Sequence, residues 1–208
     1  MSGRIHIDLF TTLDGVSQAP GGPDEDRDGG FTFGGWQAPL IDETDGAQVD
    51  AGIQAMDALM LGRRTYDIFA AYWPHQVDGS ASGIARKFDA IPKYVASRGT
   101  PELGWRDSHQ LGSDLAAEMT ALRERHREIH VIGSIDFART LVADGLFDQL
   151  NLWVYPIVVG AGKRLFPDNG PPAALKLLSA EAASARGAVL LRYGYTGGIP
   201  ATGDMSLD

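Results

Sequence analysis

Short apolar runs bounded by Gly, Pro or Ser alternate with segments whose apolar positions recur at helical spacing over most of the chain. Residues 4–10 alternate apolar and polar with period 2 and predict a strand, and the compact runs at 57–61, 93–96 and 129–132 predict short buried strands. Helical patterns fall between them at about 45–56, 65–71, 80–89, 114–126 and 136–143. The fourth carries a start signal, with Ser113 or Asp114 as cap and Leu115, Met119 and Leu122 on one face. The order then changes. Residues 149–159 and 188–195 are long strand patterns with no strong helix between them, so an α/β chain with a mixed, mostly parallel sheet and an antiparallel edge is expected. Residues 17–35 are crowded with Gly, Pro and Asp and predict a long loop, a feature that in folded domains usually serves function or is disordered. Residues 198–208 suggest a flexible tail, leaving 1–197 as a single domain, and no repeat at solenoid periods is visible.

Composition narrows the classes. The absence of cysteine excludes disulfides, a thiolate zinc site and a cysteine nucleophile, and it is compatible with a reducing cytoplasm. No run approaches the ~20 apolar residues of a membrane span, and the start, MSGRIHIDLF, lacks a signal-peptide core, so a soluble cytoplasmic protein is expected. A net charge of -9 argues against nucleic acid as a partner, which requires a basic face. Nine Asp and Glu fall between positions 14 and 50 against the single Arg27, so Arg63 and Arg64 stand out as a local cationic spot.

That spot is the most informative feature. In DALMLGRRTYDIF (57–69) an apolar strand runs into Gly62 and delivers Arg63, Arg64 and Thr65 to a helix start. A helix N-terminus offers unpaired N–H groups and positive partial charge, and guanidiniums can grip phosphate oxygens in a bidentate way. Cations are disfavoured at that end of the macrodipole, so the pair implies a compensating anion or carboxylate; otherwise the arginines are simply solvated charges. A second strand ends in Ala96, Ser97 and Arg98, and a third ends in Ile132, Gly133 and Ser134 with Ile135, Asp136 and Phe137 opening a helix. In open α/β sheets ligands lie outside the carboxyl ends of the strands, so these three ends can build one extended site for a phosphate-bearing cofactor. An ordinary strand-to-helix turn also accounts for Gly133 and Ser134.

Other motifs fail. GAGK at 160–163 would need Gly at Ile157 and Ser or Thr at Arg164 to be a Walker loop, and Gly at Leu165 to be a Rossmann fingerprint. His126 and His130 are spaced like a metalloprotease pair, but Glu128 sits in the middle of HREIH rather than beside the first histidine; a helix end and a strand start explain them better. No serine has a nucleophile-elbow context.

The combination resembles the dihydrofolate reductase-like family, specifically the group related to the C-terminal reductase domain of the bacterial bifunctional riboflavin deaminase-reductase (RibD). The resemblance rests on the order and spacing of Thr12 to Gly15, residues 57–69, Trp105 in LGWRDSHQL, VIGSIDFARTL at 131–141, GLFDQLNLWVYPIVVGAGKRLF at 145–166 and the closing strand at 189–195, and spans about 4–196. It implies a three-layer α-β-α fold and NADPH as cofactor. On this likeness Thr12, Gly62, Arg63, Arg64 and Thr65 belong to the cofactor side with the arginines on the adenosine phosphates. Ser97 and Arg98 lie near the 2'-phosphate, while Ile132, Gly133, Ser134, Ile135 and Asp136 border the pyrophosphate and nicotinamide ribose. Many relatives carry Gly-Gly, often with a cis peptide, where this chain has Gly133 and Ser134; a cis Gly-Ser bond would cost roughly 3 kcal/mol. Relatives commonly dimerise through sheet-edge strands, which implies a homodimer with residues 149–159 near the interface.

Asp14, after the first strand, is the first candidate for a catalytic acid, with an Asp-Gly turn as its plain alternative. Trp36, Trp73 and Tyr155 are candidate substrate-pocket walls or core residues. The riboflavin-pathway reductase takes a ribosylamino-pyrimidine phosphate, whereas the 14–50 segment is acidic. The expectation is therefore an NADPH-dependent reductase of a neutral or cationic heterocycle, pterin- or pyrimidine-like, or another conjugated small molecule. The riboflavin-pathway step and a non-catalytic NADPH-binding module are the alternatives.

Overall fold

Alternation along β1 (Arg4–Thr12) sends Ile5, Ile7 and Leu9 to one face of a sheet and His6, Asp8 and Phe10 to the other. The computed structural model describes residues 2–205. The chain continues through α1 (Glu43–Ala55), β2 (Ala58–Gly62), α2 (Arg63–Tyr72), α3 (Ser82–Ala90), β3 (Lys93–Ala96), β4 (Ser108–Gln110) and α4 (Leu115–Arg125). It ends with β5 (Glu128–Ile132), α5 (Ile135–Ala143), β6 (Gln149–Tyr155), β7 (Leu175–Ala182) and β8 (Val189–Tyr195). The strands form one eight-stranded sheet in the order β4-β3-β2-β5-β1-β6-β8-β7, parallel from β4 to β6 and antiparallel across β6-β8-β7.

Two helical layers cover the sheet. Ile5, Ile7, Met60, Ile129 and Val131 pack against Met119 and Leu122 of α4 and Phe137 and Leu141 of α5. On the opposite face Leu59, Leu61 and Val95 pack against Ile53 of α1, Tyr66 of α2 and Phe88 of α3. The three-layer α-β-α arrangement is thus present.

Some expectations are corrected. β6 stops at Tyr155 rather than running to 159, because Pro156 has no N–H for the ladder and Ile157 donates back to Tyr155 in a tight turn. β6 is also internal, between β1 and β8, so an edge-to-edge contact cannot run through it; the edges are β4 and β7. Neither β4 nor β7 was expected. Residues 17–35 lack strands and long helices, containing turns and one short 3-10 turn at Asp28–Gly30. Of the expected tail, residues 198–205 carry no helix or strand, and 206–208 lie outside the described residues.

Candidate functional site

Helix α2 leaves β2 on one face of the sheet while α5 leaves the adjacent β5 on the other, which splits the sheet edge into a crevice at the carboxyl ends of the strands. The cleft there measures about 1450 Å³. It is lined by Gly62, Arg63, Arg64, Thr65, Ser97, Arg98, Ile132, Gly133, Ser134, Ile135 and Asp136, all residues the sequence had singled out, and by Trp73.

The floor is built from two strand ends tied together. Ser134 Oγ accepts the Gly62 N–H at 2.8 Å and donates to the Ile132 carbonyl at 3.3 Å, joining the end of β5 to the start of α2. Gly133 and Ser134 both hold positive φ, +58° and +57°. A side chain at 133 would find room, with Thr65 Cγ2 at 3.6 Å, so the backbone angle is what favours glycine there. The described residues contain no cis peptide, so the bond at this position is trans. Helices α1 and α4 are capped by the side chains of Asp42 and Asp114, whereas α2 and α5, the two that open on the cleft, have no side-chain cap. Their first-turn N–H groups therefore remain available to a ligand.

The arginines are arranged differently from the expected paired phosphate grip. Arg63 is held by Asp67, one turn along its own helix, at 2.7 Å. Arg64 reaches the long acidic loop, pairing with Asp28 at 2.8 Å and Asp26 at 3.3 Å. Lys163 joins the same cluster, 2.7 Å from Asp26 and 3.0 Å from Asp28. Hydrogen bonds from Arg64 and Lys163 hold the Asp28 carboxyl down to about 2. Arg64 and Lys163 are thus compensated by carboxylates from the 17–35 loop, which folds its acid onto the cleft, while Arg63 is compensated within α2. Arg98 is the cleft-lining arginine without an ion pair among the described residues.

Four expected site residues lie outside the cleft lining. Asp14 is half-buried and tied to its own loop and to the segment after β6: although burial opposes ionisation, the Thr12 hydroxyl at 2.6 Å and the N–H groups of Gly160 and Val159 hold its carboxyl down to about 2. Arg164 pairs with it at 3.3 Å. So firmly ionised a group is a poor proton donor, and the turn reading of Asp14 is the one the structure supports. Thr12 is buried, its hydroxyl donating its one proton to Asp14 and accepting from the Val16 N–H, so it has no donor left for a cofactor. Trp36 is core, its indole N–H on the Gln18 carbonyl and its ring edge-on to Tyr155. Tyr155 is fully buried, donating to Asp45 at 2.5 Å and accepting from Gln37 at 2.7 Å. Burial, reinforced by the Asp45 carboxylate, pushes its hydroxyl pKa up, and burial likewise raises that of Asp45. Tyr155→Phe leaves Asp45 and Gln37 without their shared partner. It is expected to cost about 1–2 kcal/mol, read as a lower urea midpoint with an unchanged m-value.

Sequence reasoning missed Glu25. Its carboxyl lines the cleft, and burial raises its pKa despite hydrogen bonds from the Gly21 and Gly22 N–H groups. Within an acidic loop nothing in the sequence separates it from Asp24 or Asp26; only the fold selects it.

Known proteins resemble this chain in sequence and fold. The family model of the RibD C-terminal domain matches residues 4–189. The YyaP protein of Bacillus subtilis (strain 168), described as uncharacterized, is 26% identical over 200 residues, covering 93% of this chain and 96% of the relative. A putative riboflavin biosynthesis protein from Shewanella sp. PV-4 superposes with a TM-score of 0.69 at 18% identity, over 93% of this chain and 99% of that one. A Thermotoga maritima diaminohydroxyphosphoribosylaminopyrimidine deaminase/5-amino-6-(5-phosphoribosylamino)uracil reductase superposes with a TM-score of 0.59 at 13% identity, over 93% of this chain and 57% of that one. The fold is that of the dihydrofolate reductase-like group.

Proposed function

Since the chain belongs to the RibD C-terminal domain family, we propose that it is an NADPH-dependent reductase of a neutral or cationic heterocyclic or conjugated small molecule. The observation that carries this reading is the pair of helix N-termini without side-chain caps, α2 and α5, that line one cleft. Two such termini suit the two phosphates of a dinucleotide pyrophosphate, and unpaired Arg98 beside Ser97 suits a further 2'-phosphate. The volume of about 1450 Å³ exceeds the ~300–1,000 Å³ typical of a single-ligand pocket, leaving room for a second small molecule.

In this reading Thr65, Ser97, Arg98 and the N–H groups at Ser134 to Asp136 hold the cofactor, whose nicotinamide supplies the hydride. The protein orients the substrate and excludes water. Phe10, Gln18, Gln37 and Trp73 form mixed apolar and amide walls, and Glu25 is the cleft carboxyl disposed to carry a proton. The net acidity of the 14–50 segment, nine Asp and Glu against the single Arg27, disfavours a phosphorylated substrate.

Calorimetric titration with NADPH and NADH tests the proposal. Micromolar NADPH binding is expected, with Arg98→Ala weakening it about 10- to 100-fold while leaving NADH binding unchanged. Absence of binding by either nucleotide would end the reductase reading. NADPH binding without turnover of any acceptor would favour a binding module. Saturable turnover of the phosphorylated riboflavin precursor at micromolar KM would replace the proposed substrate class.

A further inference from the structure

The sheet face that carries the cleft's aromatic wall changes character toward the amino ends of its strands. There His6 and His130 are register partners on the adjacent parallel strands β1 and β5, and Glu128 lies two residues before His130 on the same face. The two imidazoles stack, with centroids 4.6 Å apart and planes 12° from parallel. One ligating atom from each of His6, His130 and Glu128 lies within 4.8 Å of the others, the one such group among the described residues. We propose that these three side chains form a binding site for a divalent transition cation of the zinc class.

Three observations support a ligand rather than a simple buried ion pair. His6 Nε2 is buried and lies 2.8 Å from Glu128 Oε2, yet no hydrogen bond to it meets ordinary geometry. An imidazole nitrogen buried in that state is costly unless something else satisfies it. The second observation concerns His130, whose Nδ1 is 2.6 Å from Asp8 Oδ2 while Asn151 Nδ2 donates to the other Asp8 oxygen at 2.7 Å. A carboxylate that fixes one imidazole nitrogen and directs the other outward is the usual support of a metal-bound histidine. The third is access: both histidines are nearly enclosed, but the Glu128 side chain is 42% exposed, giving an ion a route in and the carboxylate freedom to turn.

The ligand chemistry limits the ion. Two imidazoles and one carboxylate suit Zn²⁺, Co²⁺, Ni²⁺ or Cu²⁺, whereas Ca²⁺ and Mg²⁺ require oxygen-rich sets. Tetrahedral ligands about 2.0–2.1 Å from zinc stand roughly 3.3 Å apart, so the His6–Glu128 pair at 2.8 Å must open slightly, the longer separations of up to 4.8 Å must close by about an ångström or more, and one imidazole must turn out of the stack to bring both lone pairs onto the ion. Burial and the adjacent His130 favour the neutral, ligating form of His6; the Asp8 carboxylate favours a proton on His130, which the metal displaces. A bound ion would cross-link β1 to β5 at the centre of the sheet, below the cleft floor, leaving a fourth position for water.

The test is titration of the chelator-treated full chain with ZnCl₂ by calorimetry and with CoCl₂ by visible absorption, at about pH 8 so that imidazole is neutral. A single equivalent at micromolar or tighter affinity is expected, with tetrahedral cobalt bands and a rise in Tm of about 5–10 °C at ~100-fold excess over Kd. Glu128→Gln and His6→Gln should each weaken binding at least about tenfold. Should His6→Gln fail to fold, Glu128→Gln, altered at a half-exposed side chain, decides alone. No saturable binding up to about 1 mM, or equal affinity in Glu128→Gln, would overturn the site. The latter would assign the ion to an exposed pair such as His109 and Asp107.

Discussion

Between pH 8 and pH 10.5 the native chain should gain up to about 3 kcal/mol of stability relative to a Lys93→Met variant. Lys93 opens β3 and has no exposed surface, its ammonium held 2.9 Å from the Phe88 carbonyl and 4.7 Å from the centre of the Trp105 ring. Burial pulls its pKa from 10.5 down to about 8, against the opposing attraction of Asp89 and Asp107. A lysine whose folded pKa is depressed is protonated more readily in the unfolded chain. Below pH 8 both states are protonated and the penalty is full; as pH rises to 10.5 the folded amine is already neutral and the penalty is relieved. Methionine keeps the stem length and removes the titration. Urea unfolding of both proteins at several pH values gives the difference, and a difference independent of pH would show that Lys93 stays charged in the fold.

Gly162→Ala should be a strongly damaging single-methyl change, at about 2–5 kcal/mol and a fall in Tm of roughly 5–15 °C. Its φ of +140° is territory of glycine, and a Cβ there would stand 2.5 Å from Val16 Cγ1 and 3.1 Å from Phe31. Val16 is fully buried and bridged to Arg164, so it has little room to yield. The clash would also displace Lys163, whose backbone bonds Ser17 and Gln18 and whose ammonium holds Asp26. Gly160→Ala is the control: φ is +83° but nothing lies within 4 Å of the added methyl, so a cost nearer 1 kcal/mol is expected. Equal losses in the two variants would assign the effect to backbone angle rather than to Val16. The GAGK run is therefore a turn that anchors the long loop.

Where the fold was legible, the signal was local. The apolar core of β1, β2, β3 and β5 and the spacing of the five helices stood in the sequence because each buries a face against its neighbours. β7 was not legible: LKLLSAEA lacks alternation and is rich in helix formers, and its side chains stay largely exposed, so only pairing with β8 makes it a strand. β4 is three polar residues on an edge, below any periodic signal. For the site, strand ends and glycines placed the cleft-lining residues. Asp14, Thr12, Trp36 and Tyr155 lie outside the cleft lining, because polar or aromatic character says nothing about what absorbs it, here Val159, Gly160, Asp45 and Gln37 among others. The His6 and Glu128 neighbours were invisible for a different reason, since 122 residues separate them in the chain and only the β1–β5 register brings them together.

That register also sets a timetable. β1 sits in the middle of the sheet, yet its two partners, β5 and β6, begin at Glu128 and Gln149. During synthesis at ~5–20 residues per second, roughly 6–30 s separate the making of β1 from the making of its neighbours. Through that interval its apolar residues have no native pairing, and closing so long a loop places this chain among slow-folding, high-contact-order topologies. The period of greatest exposure to aggregation therefore falls before residue 155 is made, and coexpressed chaperones should raise the soluble yield of destabilised variants more than lowering the denaturant sensitivity of the finished fold would.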